Sequence, residues 1–392
     1  MATDVIYYNI QISNINKTNS GKITGADALQ SQSQIQSNNT LPILTVPEDY
    51  VGSIVRFAVP CFNIPLIQFI VQTPITSPTD INKGIYSFTL EYNGTFSSQT
   101  FYTFIPQVEN ITPPNNPSQF QDFSSEYYFL YNYGEWIQFQ NTALNTAFLE
   151  LQTLVAPALA TVDPPFFNYD PITQLISLYV DKLFFDQNLT TPIIKIYFNN
   201  VSEQYFNGFI FNDVAVGSAN GVDSYFKIRN FNGINISPVN NALIVFSQEF
   251  VSLGYLSPLK NIVISTNMNI VSEIFFISNA SALQNSAYLN VLTDFIPDLS
   301  NGQEAGVGSK IFIYNAPSLF RVFDFVDKHP LYSIGLTINW TDTLGNVYPL
   351  TLSKGTVASI KMMFIKKSFY SKIKGGNIND FKHTSETHYK KY

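Results

Sequence analysis

Short runs in which apolar and polar residues alternate constrain this chain more than any other feature of it. Side chains point to opposite faces along a strand, so a period of two marks a strand with one face buried. Such runs are SIVRFAV (53–59), IYSFTLEY (85–92), QTFYTFI (99–105), LISLYV (175–180), IIKIYFN (193–199) and ALIVFS (242–247). They continue with NIVIST (261–266), EIFFIS (273–278), KIFIYN (310–315), IGLTINW (334–340) and SIKMMFI (359–365). All are rich in β-branched and aromatic residues and are divided by Asn, Gly and Pro turns, which predicts an all-β fold.

Two segments depart from that period. From Gly134, GEWIQFQNTALNTAFLELQTLV places Trp136, Phe139, Ala143, Ala147 and Leu151 at intervals of three or four, the stripe of one accessory amphipathic helix laid on a sheet. In VSEQYFNGF, Ser202 and Gly208 read as the caps of a single helical turn. Two turns are legible as well. Asp170 and Pro171 suit a bend inside PFFNYDPITQLISLYV, and Asp342 and Gly345 suit a tight connection within INWTDTLGNVYPLTL.

A chain of 392 residues can bury a large core, as two domains or as one β-unit with an insertion. Residues 16–40 are nearly all small or polar and cannot fold alone, so residues 1–40 are expected to form an extended arm. Pro42 and Pro47 then carry the chain into the strand beginning at Ser53.

Charged residues make up only 12% of the chain while aromatics make up 15%. A dispersed monomer keeps a charged, mixed surface, so this composition fits a surface buried against neighbours, although an Asn-rich compositional bias gives the same figures. The net charge of −7 is uneven. Eight lysines lie between Lys361 and Tyr392 against only Asp380 and Glu386, so the rest of the chain is strongly acidic. The body should repel a phosphate backbone, whereas the tail could touch one. With only Arg56, Arg229 and Arg321, bidentate base recognition has few donors. Neither a signal-like leader nor an apolar stretch of membrane-spanning length is present, and a soluble chain with no membrane span is expected.

Catalytic patterns are thin. The histidines are His329, His383 and His388, and the plainer reading of His329, beside Asp327 and Pro330, is a turn residue. Cys61 reads as an apolar filler, with no intrachain disulfide possible. Carboxylate pairs for a hydrolase would be Glu48 with Asp49, Asp294 with Asp298, or Asp324 with Asp327, but among 28 acidic residues neighbours mean little. Glycine-rich phosphate loops are missing, and the Asp342 turn lacks the alternating acids of a calcium loop. No catalytic residue, metal or cofactor is expected, and the chain is read as a non-enzyme.

The phrases IYYNIQISN, PEDYVGSIVRFAVPCFNIPLIQF, YYFLYNYGEWIQFQNTALNTAF followed by PFFNYDPITQLISLYV, IYFNNVSEQYFNGF and LYSIGLTINWTDTLGNVYPLTLSKGTVASIKMMFIKK stand in this chain. Together they resemble the minor capsid, or penton, proteins of virophages and polinton-like viruses. The resemblance implies a jelly-roll sandwich with a second, inserted, outward-facing β-domain. The expected division is a base of 41–154 with 241–370, an insert of 155–240 and a Lys-rich tail of 371–392. Homopentamers at the five-fold vertices of an icosahedral virion are implied, ringed by major capsid protein trimers and made in the infected host cytoplasm. Tyr50, Arg56, Phe57, Phe62, Ile64, Phe69, Trp340 and Tyr348 are expected in the framework and its assembly contacts. Lys366, Lys367, Lys372 and Lys374 are expected on an interior-facing tail making non-specific contact with the packaged genome. The alternative is a host-attachment or carbohydrate-binding module in the insert, where Tyr225, Phe226 and Phe231 could stack on a sugar.

Overall fold

The Tyr50–Pro60 strand is the hub of one sheet. It pairs antiparallel with Val357–Lys366 on one side and with Ile311–Asn315 and Phe323–Phe325 on the other. Val5–Ser13 adds along Val357–Lys366, with Val5 opposite Ile365, and Ile270–Val271 adds beyond Phe323–Phe325. The computed structural model that shows this describes residues 4–13, 30–32, 34–60, 64–73, 80–106, 113–114, 121, 123, 125–185, 192–209, 224–226, 243–271, 273–277, 287–296, 311–316, 321–353 and 355–375.

A second sheet runs Glu273–Ile277, Ala287–Phe295, Leu259–Thr266, Ser333–Asp342 and Val347–Pro349, with Gln34–Asn38 also paired to Ser333–Asp342. Phe295, Ile262, Trp340 and Tyr348 lie side by side across four of its strands. The sheets share one core: Phe57 of the first is fully buried and meets Phe295 of the second edge-on at 4.7 Å. The Tyr8 hydroxyl also bonds Ser37 Oγ at 2.8 Å. Antiparallel sheets sharing a buried inner face agree with the all-β fold predicted from the period-two runs and with the jelly roll that the family resemblance implies.

The expected arm is partly built into this sandwich. In Val5–Ser13, Ile10 and Ile12 are buried while Gln11 and Ser13 are exposed. That alternation gives the strand one apolar face to hide, and this pulls it into the sheet. Gln30–Gln32 pairs with Thr351–Ser353.

Close packing leaves no room beside Gly52. A Cβ there would lie 2.3 Å from the ring of Phe323, itself 2% exposed. Gly52→Val is therefore expected to cost about 1–3 kcal/mol through overpacking. An unchanged denaturant midpoint would contradict this.

The chain divides into two units, Met1–Ile64 with Leu259–Tyr392, and Pro65–Pro258. The inserted unit thus begins well before residue 155 and runs past 240, which corrects both expected bounds. The reason is pairing: Lys83–Tyr92, expected in the base, is the strand on which Ile194–Phe198 forms, with Ile194 opposite Tyr92. Thr100–Thr103 and Thr95–Phe96 join the same sheet. A smaller sheet holds Phe166–Tyr169, Ile176–Asp181 and Leu243–Ser247.

The helix spans Tyr133–Leu154, and its first turn is capped by Asn132, whose Oδ1 accepts from Gly134 N at 2.6 Å. Trp136, Phe139, Ala143, Ala147 and Leu151 are all buried, so the stripe read from the sequence is its inward face. A shorter helix, Asn200–Phe206, has Asn199 at its cap position. Ser202 lies inside it, donating to Asn199 Oδ1 at 2.7 Å, which corrects its reading as the cap.

Aromatic rings fill the inserted unit. Phe69 lies within 6.0 Å of Tyr86, Phe104, Trp136 and Phe139, and the Tyr86 and Tyr205 hydroxyls bond each other at 2.8 Å. Burial pushes the hydroxyls of Tyr86 and Tyr102 well above their ordinary range, and those of Tyr128, Tyr131 and Tyr169 up to about 12. A tyrosine held neutral in the fold contributes stability in full below its unfolded value of 10.0 and loses it as pH rises through about 12. Between those limits the helical circular dichroism is expected to collapse together with a steep rise in tyrosinate absorbance. Ordinary titration of every tyrosine with the helix intact would contradict this.

Candidate functional site

The outer face of the first sheet offers the best candidate surface. Half of it is covered. Val51, Met363 and Ile365 are buried there with Val5, Val55, Val322, Phe369 and Tyr370 against them. Phe369 and Tyr370 belong to the helix Lys367–Gly375, so the Lys-rich tail begins as a lid on the sheet. Lys367 Nζ fixes that lid by an ion pair with Asp324 at 3.1 Å.

The other half is open. Asn9, Lys361, Arg56 and Asn315 lie opposite one another across four neighbouring strands. Lys361 Nζ sits 4.6 Å from the ring centre of Tyr7 and Arg56 is exposed, and among the described residues neither cation is paired with a carboxylate. Around them stand exposed apolar side chains: Tyr7 at 56%, Ile311 at 47%, Ile313 at 48% and Val357 at 39%. Ile311 and Ile313 point outward because Phe312 between them is fully buried in the sandwich. Exposed apolar side chains with Tyr7 and Arg56 among them match the residue types enriched at protein interfaces, with Lys361 as a polar element beside them.

The framework residues expected from the sequence divide among several places. Tyr50, Phe57, Ile64 and Trp340 are buried in the jelly-roll unit, while Arg56 stands on its open face. Trp340 stacks on Tyr348 at 4.3 Å, and the Tyr348 hydroxyl donates to Asp342 Oδ2 at 3.1 Å. The buried Asp342 also accepts from Leu344 N, Asn346 N and Asn346 Nδ2, closing the expected turn with Gly345 at a φ of +87°. Phe69 is displaced from its expected place, since it belongs to the core of the inserted unit. Phe62 lies outside the described residues, as does Cys61.

Of the tail lysines, Lys366 continues the Val357–Lys366 strand and donates its backbone N–H to Asp4 O at 2.9 Å. Lys367 holds Asp324, and Lys372 and Lys374 lie along the following helix, their side chains outside the described residues. Lys361, Tyr7, Ile311 and Ile313 were missed as surface candidates. The available signal was KIFIYN itself, where apolar residues occupy both phases of one strand.

The reactive-looking residues are engaged in structure. Asp327 Oδ1 accepts from His329 N at 2.9 Å, which is the turn reading of that histidine. Asp294 forms an ion pair with Arg321. Phe226, a candidate for stacking on a sugar, is 1% exposed between Phe198, Phe206 and Phe209, which assigns it to the core. The Tyr225 side chain and Phe231 lie outside the described residues. Among the described residues no cluster of His, Cys, Asp or Glu could hold a metal ion, and no helix is long and apolar enough to cross a membrane.

The described fold is a jelly roll interrupted by a long inserted unit, with an exposed apolar and cationic sheet face. The chain belongs to the Sputnik minor capsid protein V18/19 family, which matches residues 6–366. It is 30% identical over 215 residues to structural protein V19 of Sputnik virophage, covering 52% of this chain and 94% of the relative. It is 38% identical over 139 residues to the uncharacterized protein V18 of the same virophage, covering 34% of this chain and 77% of the relative. A chain in the 3.5 Å cryo-EM structure of the Sputnik virophage superposes with a TM-score of 0.76 at 30% identity, covering 94% of this chain and 99% of that one. The crystal structure of the mavirus penton protein gives a TM-score of 0.59 at 17% identity, covering 93% and 99%, a likeness of fold. The protein is a structural minor capsid protein of a virion.

Proposed function

We propose that five copies of this chain form the penton at each five-fold vertex of an icosahedral virion, with major capsid protein trimers around it. The observation that carries this reading is the open face of the first sheet, in a chain whose fold spans nearly the whole mavirus penton protein. In a ring, one patch of each subunit meets a different patch of the next. Arg56 and Lys361 on this face complement a chain that carries a net charge of −7 despite its basic tail. Tyr7, Ile311 and Ile313 supply the apolar area that loses water on contact. The subunit works by assembly rather than catalysis and is made in the host cytoplasm.

The inserted unit faces outward in this reading, and Lys372 and Lys374 of the tail contact packaged nucleic acid without sequence preference. Lys367 is already committed to Asp324, which makes it a fastener of the lid rather than a free cation. A symmetry-resolved cryo-EM map of virions tests the placement. Density for this chain is expected in five copies at every vertex; its absence there, or three or six copies around each site, would overturn the reading.

A further inference from the structure

We propose that the groove between the Tyr133–Leu154 helix and the Phe166–Tyr169 strand binds a neutral saccharide. The groove has a volume of about 500 Å³, within the range of small-molecule sites. Its floor is apolar, made by Ile137 and Phe167, which are 5% and 2% exposed. Its rim is neutral and polar: Gln138, Asn145 and Asn168 present exposed amides, and Tyr169 stands half-exposed with its ring 5.5 Å from that of Tyr133.

This lining selects among ligand classes. None of the side chains lining the groove is charged, so a phosphate, a sulfate or an amine would lose hydration without gaining a counter-charge. Asp170, next along the strand from Tyr169, is committed to its own turn through Ile172 N and Thr173 Oγ. An amide offers both donor and acceptor, the pair that neighbouring sugar hydroxyls require. The Tyr169 ring at the edge of the groove offers an apolar face for the C–H surface of a pyranose.

A peptide strand is disfavoured by the same geometry. Phe166–Tyr169 is the edge strand of its sheet and would ordinarily invite a further strand. Asn141 blocks that edge: its Nδ2 donates to Phe167 O at 2.8 Å and its Oδ1 accepts from Phe167 N at 2.7 Å. These bonds also tie strand to helix and fix the width of the groove before any ligand arrives. Thr142 and Thr146 donate their hydroxyl protons to helix carbonyls, at Gln138 O and Thr142 O, which leaves their oxygens as acceptors facing the groove. The site differs from the aromatic trio considered in the sequence.

The test uses the full chain in saturation-transfer NMR. The neutral probes are trisaccharides of glucose, galactose, mannose and N-acetylglucosamine, beside sialyllactose, a heparin disaccharide and an uncharged decapeptide. At least one neutral trisaccharide is expected to bind, and Gln138→Ala with Asn145→Ala is expected to weaken it roughly ten-fold or more. Both substitutions fall on the exposed helix face, so circular dichroism and oligomeric state should stay unchanged, and Asn168→Ala gives a second disruption from the strand side. Failure of every neutral trisaccharide to bind, binding only by the anionic probes or the peptide, or undiminished binding in both variants would overturn the proposal.

Discussion

Arg56→Glu combined with Ile313→Glu is expected to leave the chain folded and abolish its assembly. Both side chains stand on the open half of the first sheet, Ile313 at 48% exposure, so neither change disturbs the buried side of that strand pair. Where a residue is a hot spot at an interface centre, as arginine often is, truncating it costs about 2 kcal/mol or more. Losing two such anchors, and setting carboxylates against an acidic neighbour, should weaken each seam by at least roughly a thousand-fold. Sedimentation velocity is expected to show rings for the unmodified chain and monomers for the double variant. Leu344→Glu is the control: Leu344 is 63% exposed in the turn after Asp342, away from the row of Arg56 and Lys361, and its variant should still assemble. Rings that persist in the double variant would remove this face from the interface.

Phe69→Ala should be the most damaging single truncation for the inserted unit. Its ring is fully buried against four other aromatic residues, and Gly84 leaves space for it, since a Cβ there would lie 2.6 Å from Phe69 Cζ. Removing such a ring costs about 3–5 kcal/mol through lost burial and the cavity left behind. Trp136 and Trp340 are the only tryptophans and fall in different units, so fluorescence can separate the two transitions with single-tryptophan variants. The Trp136 signal should move to lower denaturant while that of Trp340 holds. A shift confined to Trp340 would mean that Phe69 belongs with the jelly roll after all.

Much of the fold was legible because its signals are local. Period-two runs such as NIVIST and SIKMMFI became the strands Leu259–Thr266 and Val357–Lys366, and the helical stripe from Trp136 to Leu151 became the buried side of a helix. Asp342 and Gly345 announced a turn because the carboxylate and the left-handed backbone position are properties of the turn itself. Legibility failed where pairing decides. Nothing local in IYSFTLEY says that its partner is Ile194–Phe198 rather than a strand of the jelly roll, so the insert was drawn too short. Val5–Ser13 carries the same alternation as its neighbours, yet the polar stretch after it drew the whole leader into an expected arm.

The candidate surface was harder to read than the fold. Arg56 was named, but its setting comes from register: only the pairing of four strands brings it beside Lys361, Asn9 and Asn315. The polar groove of the inserted unit has the same origin, because Asn145 and Asn168 are made neighbours by packing and not by spacing. Composition had pointed at the outcome from a distance. A chain with 15% aromatic and 12% charged residues has few charges to place on its surface, and exposed apolar side chains stand on the open sheet face.

Native mass spectrometry of the purified chain at assembly concentration tests the central claim most directly. A dominant species of five times the 44.1 kDa chain is expected, dispersed to monomer by Arg56→Glu with Ile313→Glu. A monomer, a trimer or a hexamer as the only species, unchanged by that pair of substitutions, would contradict it.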